Sequence, residues 1–331
     1  MTPPKLTPQR RRLVHWGLRI GVTAALLTLI FHIVPIHQVV EAARRLPPAL
    51  WVAGLVFFLA GHALSAAKWR VLIGGHVPFS HVFRAHLAGL GANLALPGVA
   101  GGDVVRAALV MPVVRDKGRL AIGSVADRVV DTLSLGLVAV VGAWAAWRAQ
   151  VAWADEGMAA FAVLLVVGTF AAFHIARVAG PAAVRRFAGG KIGAILERLV
   201  SILADIGREP WRLGLCLMLS IIVQCLFVGI NIAFADALGL NVPAAAWFYA
   251  WASAKIIAIA PISLGGLGVR EASMAALLKP FHAEYGAVIA VGLIWQTVLY
   301  ASGIIGVILQ STLSGPGASA APSGPRDAPA T

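Results

Sequence analysis

The chain has 331 residues, of which 59% are hydrophobic and only 12% are charged, and its formal net charge is +13. This apolar fraction exceeds that of soluble domains, which excludes a soluble globular protein, and the alternating strands of a membrane β-barrel are absent. The basic residues flank apolar stretches and form no continuous stripe, so they indicate contact with anionic lipid headgroups and not with nucleic acid.

Hydropathy predicts an all-α, polytopic membrane protein. Stretches of roughly 20 apolar residues are long enough to cross about 30 Å of hydrocarbon at 1.5 Å per residue. We expect a basic cytoplasmic N-terminus at 1–12 and a disordered tail rich in Pro, Gly, Ala and Ser at 311–331. Between them, a single transmembrane domain at 13–310 is predicted to contain spans near 13–34, 49–69, 120–147, 157–177, 211–235 and 285–310.

Two further apolar regions, 81–110 and 245–280, are broken in the middle by proline and glycine. Lysine and arginine favour the cytoplasmic side of a membrane. Here they are concentrated in 5–12, 68–84, 115–119 and 177–212. All of these basic segments lie on the cytoplasmic side if each broken region enters and leaves on one side, so we predict two re-entrant helical hairpins.

The connection at 184–208 combines basic residues with apolar residues at helical spacing, among them Ile192, Ile195 and Leu199. This pattern is typical of an amphipathic helix on the inner leaflet and equally of a helix packed beneath the bundle.

The two broken regions resemble each other in sequence. PGVAGGDVVR, which begins at Pro97, aligns with PISLGGLGVR, which begins at Pro261, with Pro, Gly-Gly, Val and Arg at identical offsets. The two motifs are 164 residues apart (261 minus 97). The same offset aligns the spans before and after the first broken region with those before and after the second. Because the two hairpins enter from opposite sides, we predict an inverted-topology repeat, an architecture of many transporters. The predicted turn residues are Pro97, Gly98, Gly101 and Gly102 in the first hairpin and Pro261, Gly265, Gly266 and Gly268 in the second.

Charges inside the hairpins are candidate functional residues, because a charge near the bilayer centre costs about 2.5–3.5 kcal/mol on insertion scales. Arg106 and Arg270 occupy equivalent positions. Either they face an aqueous or anionic site, or they pair structurally, Arg106 with Asp103 and Arg270 with Glu271 or another helix. Asp103 is either the N-cap of a helix that begins near it or a functional residue.

The span after the first hairpin carries Asp127 and Asp131 on one face, four residues apart, with Arg128 between them in sequence. Two carboxylates on one face require a cationic partner, and their pairing would either lock the hairpins or relay a proton or cation. The candidate partners are Arg106, Arg270 and Lys255, the last of which lies deep within its own apolar run.

Other polar residues have simpler interpretations. Lys68 and Arg70 are predicted to be snorkelling anchors at the end of their span. Gln224 and Asn231, seven residues apart on one helix face, are predicted to donate interhelical hydrogen bonds.

The sequence carries no recognisable catalytic or metal motif. His76, His81 and His86 recur every five residues, which spreads them around a helix, so we expect no metal site. A P-loop and G-x-S-x-G are also absent, as is a soluble segment large enough for a catalytic domain. We therefore expect a protein that is not an enzyme and uses no cofactor.

The sequence resembles the transmembrane flippase region of lysylphosphatidylglycerol synthases and their stand-alone relatives over most of 13–310. The resemblance rests on AAKWRVLI (66–73), GLGANLALPGVAGGDVVRAALV (89–110), ADRVVDTLSLG (126–136) and APISLGGLGVRE (260–271). It implies a multi-pass protein of the bacterial inner membrane, associated with moving lipids between leaflets, with both termini cytoplasmic. Lysyl transfer in that family belongs to a separate soluble domain, so synthase activity is not expected. The functional region implied by the resemblance comprises Asp103, Arg106, Asp127, Arg128, Arg270 and Glu271.

We therefore expect a lipid translocase whose two hairpins form a basic groove for an anionic or zwitterionic headgroup. Two alternatives stay open, a transporter of a small anion or ion and a non-transporting subunit that positions an enzyme of lipid or glycan synthesis. The expected partners are membrane lipids, and further copies of the chain or such an enzyme are the other candidates.

Overall fold

The structure, a computed structural model, describes residues 28, 36–95, 100–148, 210–259 and 266–313. All regular secondary structure in these ranges is helical, which confirms the all-α fold class. In chain order the helices are α1 (Ile36–Arg45), α2 (Pro48–Leu72), α3 (Phe79–Ala95), α4 (Ala100–Val110), α5 (Lys117–Trp147), α6 (Pro210–Ala237), α7 (Ala244–Ile257), α8 (Val269–Leu278) and α9 (Tyr285–Leu313), with a 3-10 turn at Lys279–Phe281.

Four helices, α2, α5, α6 and α9, are long and apolar enough to cross a membrane. The shortest has 25 residues, which extends about 37 Å at 1.5 Å per residue and exceeds the hydrocarbon thickness of about 30 Å. They overlap the predicted spans at 49–69, 120–147, 211–235 and 285–310, and α9 continues three residues into the predicted tail. The predicted elements at 1–12, 13–34, 157–177 and 184–208 lie outside the described residues, as does the tail beyond residue 313.

The helices α3 and α4 pack against each other as a helical hairpin. Gly102 is needed for their close approach, because a Cβ there would collide with the carbonyl oxygen of Gly89 on α3. The Gly102 amide also donates to Asn93 Oδ1 at 2.7 Å. Gly101 and Gly102 lie inside α4, which begins at Ala100, so the prediction that both belong to the turn is wrong.

The helices α7 and α8 form the second hairpin. Gly266 and Gly268 have φ values of 78° and 84°, in the left-handed region that glycine adopts without steric cost, as expected for turn residues. The remaining predicted turn residues, Pro97, Gly98, Pro261 and Gly265, lie outside the described residues.

Each hairpin packs against the long helix that follows the other hairpin. The helix α3 packs along α9 and α7 packs along α5, while α2 and α6 pack together between them. Both crossings depend on glycine, because a Cβ at Gly306 of α9 would meet the backbone of Leu87, and one at Gly142 of α5 would meet the backbone of Tyr249 at 2.5 Å. Gly142 and Gly306 are separated by the same 164 residues as Pro97 and Pro261.

The ends of α5 lie beside different hairpins. Near its start, the backbone N–H of Arg115 donates to His76 Nε2 at 3.1 Å, which joins the α4–α5 connection to the α2–α3 connection. At its other end, the Trp147 and Phe281 rings are 5.2 Å apart between centroids, which joins α5 to the α8–α9 connection. Both ends of the first hairpin therefore lie near the start of α5. The C-terminal end of the second hairpin lies near the other end of α5.

Candidate functional site

Asp127 of α5 is the centre of a buried charge network. Its Oδ2 accepts a hydrogen bond from Arg106 Nη2 at 2.7 Å, and its Oδ1 lies 3.0 Å from Lys68 Nζ. Arg106 belongs to the first hairpin and Lys68 to α2, so one carboxylate joins three helices. An unpaired buried ion costs several kcal/mol, so this pairing is what allows the three charges to lie inside the bundle.

Lys68 also connects Asp127 to Asp131, one helical turn further along α5. Its ammonium pairs with Asp131 and donates to Ser220 Oγ of α6 at 3.2 Å. The Ser220 hydroxyl in turn donates to Asp131. Three oxygen atoms contributed by two helices, on Asp127, Asp131 and Ser220, therefore lie within 3.2 Å of the ammonium nitrogen.

The prediction that Lys68 is a snorkelling anchor is wrong, because its side chain is only 1% exposed. The helix α2 continues to Leu72, so Lys68 lies one turn inside it. Arg70 keeps a position nearer the connection, where its Nε donates to the carbonyl of Val77 at 2.6 Å.

Asp103 and Arg128 form the partly exposed edge of the network. Two hydrogen bonds connect the Arg128 guanidinium to the Asp103 carboxylate, one of them 2.6 Å from Nε to Oδ2, and Arg106 Nη2 lies 3.1 Å from the same carboxylate. The side chains of Asp103 and Arg128 are 21% and 45% exposed. Since α4 begins three residues before Asp103, the N-cap alternative for Asp103 is wrong.

Two histidines extend the network from Arg106 to α2. Arg106 Nη1 lies 3.2 Å from His86 Nδ1, and His86 Nε2 lies 3.0 Å from His62 Nδ1. A guanidinium only donates, so His86 Nδ1 accepts, and the single ring proton of His86 is on Nε2 and is donated to His62. The geometry therefore fixes one neutral tautomer for each ring. In the described part of the chain, no group of three or more His, Cys, Asp and Glu residues could hold a metal ion.

Arg106 contacts protein on every side and is only 2% exposed. Besides its polar partners, its guanidinium carbon lies 4.5 Å from the centre of the Trp69 ring. The anions that pair with Arg106 are therefore carboxylates of the protein itself. One of them is Asp103, the structural pair that the sequence offered as an alternative.

Arg270 of the second hairpin is also buried and internally paired. It donates to its neighbour Glu271 and, at 2.9 Å, to Gln296 Oε1 of α9. Glu271 Oε2 accepts from the Gly268 N–H at 2.7 Å, which fixes the start of α8. Arg270 does not contact the two aspartates of α5, for which it was a candidate partner.

Lys255 lies in the last turn of α7, and it too does not pair with Asp127 or Asp131. It donates to Gln224 Oε1 of α6 at 3.1 Å and lies 5.4 Å from the centre of the Phe227 ring. Gln224 therefore makes an interhelical hydrogen bond, but as the acceptor. The same prediction is wrong for Asn231, which donates to the Phe227 carbonyl within its own helix.

Comparison with known proteins supports the resemblance found in the sequence. A family model described as lysylphosphatidylglycerol synthase TM region matches residues 16–306. The chain belongs to this family. The matched range contains both hairpins and the whole charge network, and with the four long apolar helices it identifies a membrane protein. No curated protein matches the chain.

In the two charged sites of this synthase TM-region family member, which are the Asp127 network and the Arg270–Glu271 pair with Gln296, sequence reasoning missed five residues. They are His62, Lys68, His86, Ser220 and Gln296. For Lys68 the sequence did offer a signal, the balance of charges in the hydrophobic segments. Asp127 and Asp131 carry two negative charges and Arg106 only one positive charge, so the balance calls for a second cation.

The network predicts that Lys68 is required for stability in this family member. Lys68→Met leaves Asp131 and Ser220 facing each other without a cation, and breaking a buried pair in this way costs about 3–5 kcal/mol. We expect a loss of that size in the free energy of unfolding of the purified protein in detergent. The double variant Lys68→Met with Asp131→Asn should recover part of the loss.

Lys117→Met is the matched control, because Lys117 is exposed at the start of α5. It should change the free energy of unfolding by about 0.5 kcal/mol or less. Equal effects of Lys68→Met and Lys117→Met would contradict the role assigned to Lys68.

Proposed function

We propose that this protein is a lipid translocase of the bacterial inner membrane, which moves phospholipid headgroups between leaflets without covalent catalysis and without a cofactor. One observation carries the proposal. In a member of the synthase TM-region family, a short hairpin helix carries a partly exposed carboxylate, that of Asp103, which pairs with the Arg128 guanidinium at the edge of a buried charge network. Membrane lipids are its proposed partners.

The proposal includes two re-entrant hairpins in an inverted repeat, with both chain termini cytoplasmic. The contact of His76 with Arg115 supports a first hairpin that enters and leaves on one side. The helix α5 has 31 residues, or about 46 Å at 1.5 Å per residue. Its far end contacts Phe281, which supports an exit of the second hairpin on the other side.

The partly exposed pair of Asp103 and Arg128 is the proposed point of entry for a headgroup. A solvent-accessible ion pair is worth about 0–1 kcal/mol, so its carboxylate is exchanged readily. A phosphate offers the same two-oxygen geometry to a guanidinium. The headgroup phosphate replaces Asp103 on Arg128, while the buried pairs of Asp127 keep the hairpin attached to the bundle.

The proposed topology predicts the labelling of single cysteines by a membrane-impermeant maleimide. Cysteines at Ser80 and Lys117 should react only from the cytoplasmic side, because Ser80 lies at the start of the first hairpin and Lys117 follows its end. Cysteines at Asn241 and Lys279 should react only from the opposite side. All four positions are exposed, so lack of reaction reports sidedness and not burial.

The background for this labelling is the variant with Cys216→Ala and Cys225→Ala, and permeabilised cells supply the control in which all four positions react. Reaction of all four cysteines from one side of intact membranes would contradict the inverted repeat.

Arg128→Gln should slow lipid movement strongly with little loss of stability. In liposomes of phosphatidylethanolamine and phosphatidylglycerol, we expect the rate at which tail-labelled phosphatidylglycerol changes leaflet to fall about tenfold or more, because a charge-assisted hydrogen bond contributes about 1.5–3 kcal/mol. The free energy of unfolding should fall by about 1 kcal/mol or less, because the pair is partly exposed.

Arg148→Gln is the matched control, since Arg148 is exposed at the far end of the described part of α5 and the net charge changes equally. It should move lipid at the wild-type rate. Wild-type protein that moves lipid no faster than protein-free liposomes would overturn the proposed function.

A further inference from the structure

Lys255 differs from the other cations of the two sites in having no carboxylate. Lys68, Arg106, Arg128 and Arg270 each pair with an aspartate or glutamate. Among the described residues, Lys255 contacts only the Gln224 amide oxygen and the face of the Phe227 ring. Both contacts orient the ammonium, but neither of them neutralises it.

The position of Lys255 connects the two charged sites. It lies in the last turn of α7, immediately before the break of the second hairpin. The helix α7 packs along α5, which carries Asp131 and Arg128, and against α8, which carries Arg270. The C-terminal end of α7 contributes some partial negative charge, which is worth about 0.3–1 kcal/mol and does not replace a counter-ion.

Among the described residues, the charged groups of the two sites sum to one positive charge in excess. Asp103, Asp127 and Asp131 balance the three cations of the network, and Glu271 balances Arg270. Lys255 adds the unbalanced charge. Within the described ranges its ammonium has one oxygen partner where that of Lys68 has three, which leaves two N–H groups for a ligand, and the residue is partly exposed.

We propose that Lys255 binds the phosphate of an anionic lipid headgroup and thereby selects anionic over zwitterionic lipids. The inference rests on the proposed translocase function and specifies its substrate class. A headgroup of net charge −1 neutralises the site. A zwitterionic headgroup brings a cation of its own, and in the described part of the chain no carboxylate forms an ion pair with Lys255 that could turn to this cation.

The test is thermal unfolding of the full-length protein in a maltoside detergent, alone and with phosphatidylglycerol, phosphatidylcholine or inorganic phosphate. For wild type, phosphatidylglycerol should raise the unfolding temperature more than the other two. Lys255→Met should lower the affinity for phosphatidylglycerol about tenfold or more, the effect of losing a charged hydrogen-bond partner. Lys255→Arg, which keeps the charge, should retain most of the lipid effect.

Without lipid, Lys255→Met should unfold at the wild-type temperature or above it, because an ammonium without a counter-ion does not stabilise the bundle. This expectation separates a ligand-binding residue from a structural one, for which the variant would unfold earlier. Lys279→Met is the control, since Lys279 is exposed after α8, and it should leave the response to lipid unchanged.

The proposal is overturned if phosphatidylglycerol stabilises Lys255→Met as it does wild type, or if Lys255→Met unfolds much earlier without lipid. An equal, Lys255-dependent effect of inorganic phosphate would assign the site to a soluble anion and also overturn it. If binding depends on Lys255 but wild type moves no lipid in liposomes, the translocase fails and the binding site stands. If lipid moves and Lys255→Met binds and moves it like wild type, the binding site fails and the translocase stands.

Discussion

The ion pairs of Asp127 are the constraint on which the first hairpin depends. The helix α4 has only 11 residues, about 16 Å at 1.5 Å per residue, or roughly half of the hydrocarbon thickness. Such a helix cannot be anchored by spanning the bilayer, and it carries Arg106, whose charge is costly at membrane depth. Asp127 offsets that cost and attaches α4 to α5 and, through Lys68, to α2.

The two halves of the molecule keep the same arginine but hold it differently. Arg106 depends on Asp127 of another helix, and the residue 164 positions after Asp127 is Val291. Arg270 depends on its neighbour Glu271 and on Gln296 of α9. The first hairpin is therefore connected to the bundle by charges from several helices, and the second is held more locally. The partly exposed pair of Asp103 and Arg128 thus lies beside the first hairpin, and Lys255, which forms no ion pair within the described part of the chain, lies on the second.

The sequence was sufficient for the fold class and for the four long helices, because these follow from local hydropathy. It also singled out Asp127 and Arg106, because they are charges in apolar surroundings. It failed for Lys68, because the adjacent Trp69 and Arg70 imitate the end of a span while α2 continues to Leu72. The pairing of His62 with His86 depends on the packing of α2 against α3, which no local pattern encodes.

Amide hydrogen exchange in the Asp127→Asn variant, which removes the charge and keeps the shape, shows whether Asp127 holds the first hairpin in place. We expect exchange in residues 100–110 to accelerate about tenfold or more, because a charge-assisted hydrogen bond to Arg106 is lost, while residues 269–278 exchange as in wild type. Unchanged exchange in 100–110, or an equal acceleration in both hairpins, would contradict the account.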